Sequence, residues 1–199
     1  MANEQSRNEV ELCGTVCSAP VFSHENHGCQ FYGFQLQVLR LSGQADTLPI
    51  LITAPMAECL CPGKCVRILG QLRSFNNKSG EGSRLVLTVY ALTIEPWAGE
   101  PVNRVILRGA LCKPPTLRRT PLGRSICDVM LAVGRRYGRA DYLPVIAWGQ
   151  LAQAVSSREV GTVLCIEGRF QSRQYTKLTD QGPVQHTAYE VSVMHLLDE

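Results

Sequence analysis

The chain carries two related segments, NEVELCGTVCSAP at Asn8–Pro20 and NRVILRGALCKPP at Asn103–Pro115, which lie 95 residues apart. After a three-residue insertion, GKCVRILGQLRS at Gly63–Ser74 matches GTVLCIEGRFQS at Gly161–Ser172. Fixed spacing between blocks in the same order is the mark of an internal repeat, and a repeat decides how the whole fold is interpreted. The sequence therefore predicts that one unit has been duplicated.

Within each repeat the apolar residues mostly alternate, as at Val129, Leu131 and Val133, and this period of two predicts strands. One helix is predicted, at Gln150–Arg158, between the third and fourth strands of the second repeat. Five strands with a helix at that place are typical of the OB fold, a small barrel that binds oligonucleotides. We therefore predict an all-β protein of two tandem five-stranded OB-fold barrels, each with a short helix between strands 3 and 4. A β-sandwich or another small barrel stays compatible with the strand pattern.

The length of 199 residues suits two domains of about 100 residues each. We expect a tail at residues 1–7, a first barrel at 8–95, a linker with the sequence PWAGEPV at 96–102, and a second barrel at 103–199.

Composition indicates a folded protein, because 45% of the residues are hydrophobic and 19% are charged. The longest apolar stretch, Leu85–Ile94, is far shorter than the roughly 18 residues of a membrane span, and the first ten residues lack the apolar core of a signal peptide. Nine cysteines, an odd number, favour free thiols over disulfides. We therefore expect a cytoplasmic protein with no membrane partner.

The two halves differ in charge. Residues 1–102 hold seven Lys or Arg and nine Asp or Glu, a net charge of −2, whereas residues 103–199 hold thirteen and eight, a net charge of +5. An excess of cations on one repeat indicates that this repeat contacts an anionic partner.

The blocks DYLPVIAWGQLA at Asp141–Ala152 and GTVLCIEGRFQSRQY at Gly161–Tyr175 resemble bacterial single-stranded DNA-binding proteins. The segment NRVILRGALCKPP and the block MLAVGRR, at Met130–Arg136, support the same resemblance, which covers nearly all of residues 103–198. It implies a sequence-independent binder of single-stranded DNA that acts in replication, recombination or repair. Relatives with two barrels per chain form dimers, so it also implies a homodimer that presents four barrels.

The resemblance further implies which side chains hold the bases. The family stacks bases on aromatic residues, and its positions fall on Tyr137, Tyr142, Trp148 and Tyr175. Every base has a π-face, so rings bind any sequence, at roughly 1–3 kcal/mol per base. The alternative for these rings is ordinary packing in the core or on a strand surface.

Cations surround these rings in the sequence and would neutralise the phosphates. Arg118, Arg119 and Arg124 are expected on the turn between strands 1 and 2. The other candidate phosphate-binding residues are Arg135, Arg136, Arg139, Arg169, Arg173 and Lys177. A solvated basic surface is the alternative interpretation.

The first repeat has no aromatic residue at the corresponding positions, which are Ser42, Thr47, Thr53 and Asn77. We therefore expect the first barrel to serve assembly or spacing while the second holds the main site. Other rings of the first repeat could form a relocated site: Phe22, Phe31, Tyr32 and Phe75.

No metal, cofactor or catalytic activity is predicted. Cys59, Cys61 and Cys65, with His24, His27 and Cys29, are suitable zinc ligands by type, but they lack the paired C-x₂-C spacing of a zinc site. The sequence has no phosphate-binding glycine loop and no evident nucleophile with a base.

Two other functions are compatible with the sequence: a protein-interaction module such as an accessory primosome component, and a single-stranded RNA binder. The family's acidic tail, which recruits enzymes, has no counterpart in the sequence that ends at Leu196–Glu199. Recruitment of partner enzymes is therefore doubtful.

Overall fold

The computed structural model describes residues 6–77, 84–179 and 182–197, except for the side chains of Lys177 and Thr179. Within these residues each repeat forms six strands and one α-helix, and the second repeat also has a short 3₁₀ turn at Arg136–Gly138. The first repeat consists of β1 (Arg7–Val16), β2 (Val21–Asn26), β3 (Cys29–Leu39), β4 (Ala45–Thr53), α1 (Ala54–Ala57), β5 (Cys65–Asn76) and β6 (Leu85–Pro96). The second consists of β7 (Val102–Leu111), β8 (Thr116–Arg119), β9 (Ser125–Gly134), β10 (Ala140–Trp148), α2 (Gly149–Ser156), β11 (Val163–Thr179) and β12 (Gly182–Leu196).

Strand pairing closes each repeat into a barrel. In the first repeat, β1 pairs with β3 and β5, β3 pairs with β4, β4 runs parallel to β6, and β6 lies beside β5. In the second repeat, β7, β9, β10, β12 and β11 follow one another in the same way around the ring. This order is that of an OB fold, so the predicted pair of tandem five-stranded barrels is confirmed.

Each barrel also has a short strand that the sequence analysis did not predict. β2 pairs with β3, and β8 pairs with β9. Every residue of these two short strands is exposed, so neither shows the apolar alternation by which a half-buried strand is recognised. As a result, Arg118 and Arg119 lie on β8 rather than on a turn.

The cores of the two barrels are built from residues at equivalent positions. Three leucines in each barrel are fully buried: Leu12, Leu36 and Leu48 in the first, and Leu107, Leu131 and Leu143, each 95 residues later, in the second. The helices differ more. α2 buries Ala152 and Val155, whereas α1 buries no residue and is only four residues long.

Contacts between Cα atoms divide the chain into two compact units whose limits differ from those of the repeats. One unit is formed by Asn8–Arg73 with Thr88–Ile106, and the other holds the rest of the described residues. No helix in the described part of the chain has the length and apolar character needed to cross a membrane.

Glycines stand where strands of the barrel come closest together. A Cβ on Gly109 would lie 2.6 Å from the carbonyl oxygen of Ala132, and a Cβ on Gly14 would overlap the carbonyl oxygen of Gln37. Gly14 and Gly109 are equivalent residues of the two repeats, on β1 and β7. Both repeats therefore require glycine here, because the backbone of the neighbouring strand occupies the space of a side chain.

Replacing Gly14 with alanine is expected to lower the free energy of unfolding by about 1–3 kcal/mol, because the new methyl group must displace a backbone carbonyl. Urea unfolding followed by circular dichroism measures this change. Gly33→Ala is the matched control, since its Cβ would lie an ordinary 3.8 Å from the carbonyl oxygen of Ile50. We expect the control to leave stability unchanged or to raise it by about 0.5–1 kcal/mol. Equal destabilisation by both changes would contradict the close-approach argument.

Candidate functional site

The four aromatic residues predicted from the sequence are all exposed in the second barrel. The exposed fractions are 95% for Tyr137, 51% for Tyr142, 38% for Trp148 and 39% for Tyr175. By contrast, the core side chains Phe170 and Leu131 of the same barrel are 0% exposed. None of the four rings therefore serves as core packing.

Tyr142 and Trp148 lie on one face of β10. Asp141 and Leu143 beside them are buried, and so is Ala147. Since side chains alternate between the two faces of a strand, the two rings share the outer face of the barrel, six residues or roughly 20 Å apart along β10. A single extended ligand strand could touch both rings if it runs along this strand.

Tyr137 lies in the turn between β9 and β10. Its φ of 62° and the φ of 67° at Gly138 put two successive residues in the left-handed region. A residue other than glycine seldom adopts this backbone conformation outside turns. The turn leaves the ring almost fully exposed, and the side chains of Arg136 and Arg139 next to it are exposed as well.

Tyr175 lies in the β11–β12 hairpin and is held by its neighbours. Its ring stacks against His186, with centroids 5.6 Å apart and planes inclined by 27°. The guanidinium carbon of Arg173 lies 5.7 Å from the centroid of the Tyr175 ring. A ring that is already oriented loses less conformational entropy when a ligand stacks on it.

The predicted phosphate-binding arginines have different environments. The Arg135 guanidinium donates a hydrogen bond of 2.5 Å to the carboxylate of Asp141, whose side chain is fully buried. This pair has an equivalent in the first barrel, where Arg40 binds the buried Asp46. The hydrogen bond that the Arg40 guanidinium donates to the Asp46 carboxylate raises the pKa of Arg40. Arg135 therefore has a structural role, since its charge compensates a buried carboxylate.

The other cations lie nearer to solvent. Arg173 is half exposed and stands 3.6 Å from the carboxylate of Glu190. Arg136 and Arg139 are exposed, without an ion pair to any described residue, and Arg169 is partly buried. The side chain of Lys177 lies outside what the structure describes.

A shallow groove on the second barrel, which the sequence analysis missed, has acidic side chains. Its lining includes Lys113, Thr116, Asp128, Met130, Pro144 and Glu190. Arg118 binds Asp128 at 2.5 Å and Arg173 lies beside Glu190, so each carboxylate has an arginine next to it. The hydrogen bond to Asp128 raises the pKa of Arg118. The ion pair of Arg118 with Asp128 depends on the pairing of β8 with β9, in which Asp128 stands opposite Thr116, two residues from Arg118 on the same face of β8.

The first barrel has no ring at the equivalent positions, where Ser42, Thr47, Thr53 and Asn77 stand. In the described part of the chain, no three His, Cys, Asp or Glu side chains come together as metal ligands would. The nine cysteines are all free thiols, and five of them are exposed.

Comparison with known proteins finds a family match on the second repeat and several similar proteins. Residues 102–197 match the Single-strand binding protein family. A single-stranded DNA-binding protein of Clostridium tetani is 38% identical over 81 residues, which cover 37% of this chain and 56% of that protein. Single-stranded DNA-binding protein 2 of Streptococcus agalactiae is 33% identical over 82 residues, covering 38% of this chain and 63% of that protein. The chain thus spans little more than half the length of these relatives.

Nearly the whole chain is similar to solved structures. The crystal structure of the single-stranded DNA-binding protein from Thermus aquaticus superposes with a TM-score of 0.77 and 26% sequence identity. The match covers 98% of this chain and 94% of that one. Both repeats therefore share their fold with a solved protein.

Proposed function

From the match of residues 102–197 to the Single-strand binding protein family, we propose that the chain binds single-stranded DNA without sequence preference. The proposed role is binding and not catalysis. Such binding stabilises the unpaired form of DNA by mass action, which suits replication, recombination or repair. An RNA ligand or a purely protein-binding role is not favoured by the family match.

The observation that carries the proposal is the exposure of four aromatic side chains in one barrel, among them Tyr142 and Trp148 on one face of β10. Exposing such rings leaves apolar surface in water, which a folded protein usually avoids unless the surface binds something. Stacked bases would cover these rings, and stacking does not depend on base identity.

Phosphates would be neutralised mainly by the exposed cations near the rings, with Arg136 and Arg139 next to Tyr137 and Arg173 next to Tyr175. Arg169 and Lys177 complete the proposed set. Arg135 would add little as a direct contact, since its guanidinium is engaged by Asp141.

We also propose that the chain forms a homodimer presenting four barrels, with the main DNA site on the second barrel of each chain. Sedimentation equilibrium at micromolar concentration measures the mass. A mass of one chain would contradict the dimer but not the binding proposal.

Tryptophan fluorescence tests the binding proposal, because the chain has only two tryptophans. We expect oligothymidine to quench Trp148 strongly. Trp97 should change little, since its Nε1–H binds the carbonyl oxygen of Glu100 at 2.9 Å and the Arg67 guanidinium carbon lies 5.6 Å from the centroid of its ring. The logarithm of the affinity should fall with log[salt] by roughly 0.7 per phosphate neutralised.

Trp148→Ala is the control that assigns the signal, and it should remove most of the quenching. An unchanged fluorescence at saturating DNA, or quenching that persists in Trp148→Ala, would contradict the proposed site. Competition by a matched RNA oligomer that outbinds the DNA would overturn the choice of ligand.

A further inference from the structure

The first barrel has its own set of neighbouring rings. His24 on β2 and Phe31 on β3 are stacked almost in parallel, with centroids 4.8 Å apart and planes inclined by 12°. Phe31 in turn contacts Tyr90 on β6, with centroids 6.2 Å apart. We call His24, Phe31 and Tyr90 the ring array. All three belong to the same compact unit.

The strand register explains where this array lies. Phe31 on β3 stands directly opposite Thr53 on β4. In the second barrel, Ile126 stands opposite Trp148 in the same way. The two pairs are equivalent, since 95 residues separate Phe31 from Ile126 and Thr53 from Trp148. The aromatic member of the pair lies on β3 in the first barrel and on β10 in the second.

A cross-strand pair keeps both side chains on the same face of the sheet, with Cβ atoms about 4.5–5.5 Å apart. The ring of Phe31 therefore stands on the same outer face as Thr53, one strand away from the position that Trp148 occupies in the second barrel. Tyr90 on β6 extends this face, because it is paired with Leu51 on the parallel strand β4. The first barrel thus lacks the expected rings but has others on the equivalent face.

The array is open to a ligand. All six residues of β2, including His24, are exposed, and Phe31 and Tyr90 are partly exposed. A second ring pair, Phe22 against Tyr32, has its centroids 5.8 Å apart, but it belongs to the other face of β3 because Tyr32 directly follows Phe31. Flat rings open to solvent, like the three of the array, are what single-strand binders use to stack bases.

Charge distinguishes this surface from the one on the second barrel. Residues 1–102 have a net charge of −2, and Glu25 lies on β2 next to His24. Few phosphates can be neutralised here, so binding would depend on stacking and would change little with salt.

We propose that the ring array is a second, weaker site that stacks bases of single-stranded nucleic acid. This inference rests on the proposed function, because it assigns the same class of ligand to the first barrel. It also revises the expectation that the first barrel serves only assembly or spacing.

Photo-cross-linking of the unaltered full-length chain to oligo-5-bromodeoxyuridine, mapped by mass spectrometry, tests the proposal. We expect adducts at His24, Phe31 or Tyr90 in addition to those in the second barrel. Adducts confined to residues 137–175 would overturn the second site and leave the proposed function intact. Absence of any adduct, together with absence of binding, would overturn the proposed function itself.

Affinity measurements give a second, independent test in a chain whose main site is weakened by Tyr142→Ala and Trp148→Ala. Adding Phe31→Ala should lower the residual affinity for oligothymidine by about fivefold or more, with a shallow salt dependence. Leu39→Ala is the matched control. Leu39 lies eight residues along the same face of β3, is 53% exposed and has no π-face. Equal effects of Phe31→Ala and Leu39→Ala would overturn the stacking site.

Discussion

Replacing Tyr142 and Trp148 together with alanine is expected to lower the affinity for single-stranded DNA by about 30-fold or more. Each stacked base contributes about 1–3 kcal/mol, so the loss of two rings removes about 2–6 kcal/mol of binding free energy. Both side chains are exposed on the outer face of β10, so their removal leaves the core of the barrel intact. Fluorescence anisotropy of a labelled oligothymidine measures the affinity.

Two controls separate stacking from other effects. The conservative pair Tyr142→Phe and Trp148→Phe keeps an aromatic face and should retain most of the affinity. Trp97→Phe changes a ring whose Nε1–H is bound by the carbonyl oxygen of Glu100, and it should leave the affinity unchanged. If the double alanine variant bound as tightly as the unaltered chain, the rings of β10 could not be the main site.

Replacing Phe170 with alanine is expected to have the largest effect on stability, lowering the free energy of unfolding by about 3–5 kcal/mol. Phe170 on β11 is fully buried, and its ring lies 5.8 Å from that of Tyr189. Alanine would leave a cavity that the barrel can only partly fill. Urea unfolding followed by circular dichroism measures the loss.

Phe170→Leu is the informative control, because the first barrel has the fully buried Leu72 at the equivalent position of β5. Leucine fills more of the space, so Phe170→Leu should cost clearly less than Phe170→Ala. A loss below about 1 kcal/mol for Phe170→Ala would show that the packing around this ring is much looser than its burial indicates.

The barrel itself could be predicted from the sequence, because its signals are local or periodic. Leu131 and Val133 alternate with polar or less buried neighbours, and this alternation reports which face of a strand is buried. The two repeats agree in their buried positions, since Leu12 and Leu107 are equivalent in sequence and both are fully buried. The exposed strands β2 and β8 had no such signal and were missed.

The candidate site could be predicted only in part. Tyr137, Tyr142, Trp148 and Tyr175 were identified from the resemblance, and the structure adds that all four are exposed. Arg135 was counted among the phosphate-binding residues on its charge alone. Its pairing with Asp141 could not be predicted from that charge, because it depends on how the turn between β9 and β10 brings a guanidinium to a buried carboxylate.

The sequence by itself thus determined the duplication, the alternation of strands and the loss of the expected rings from the first repeat, since these are properties of residue type and spacing. Only the tertiary structure decided that Phe31 faces Thr53 as Ile126 faces Trp148. Pairing between strands is fixed by register, and a shift of one residue would turn every side chain to the opposite face. Residues far apart in the sequence become neighbours on one surface only once that register is set.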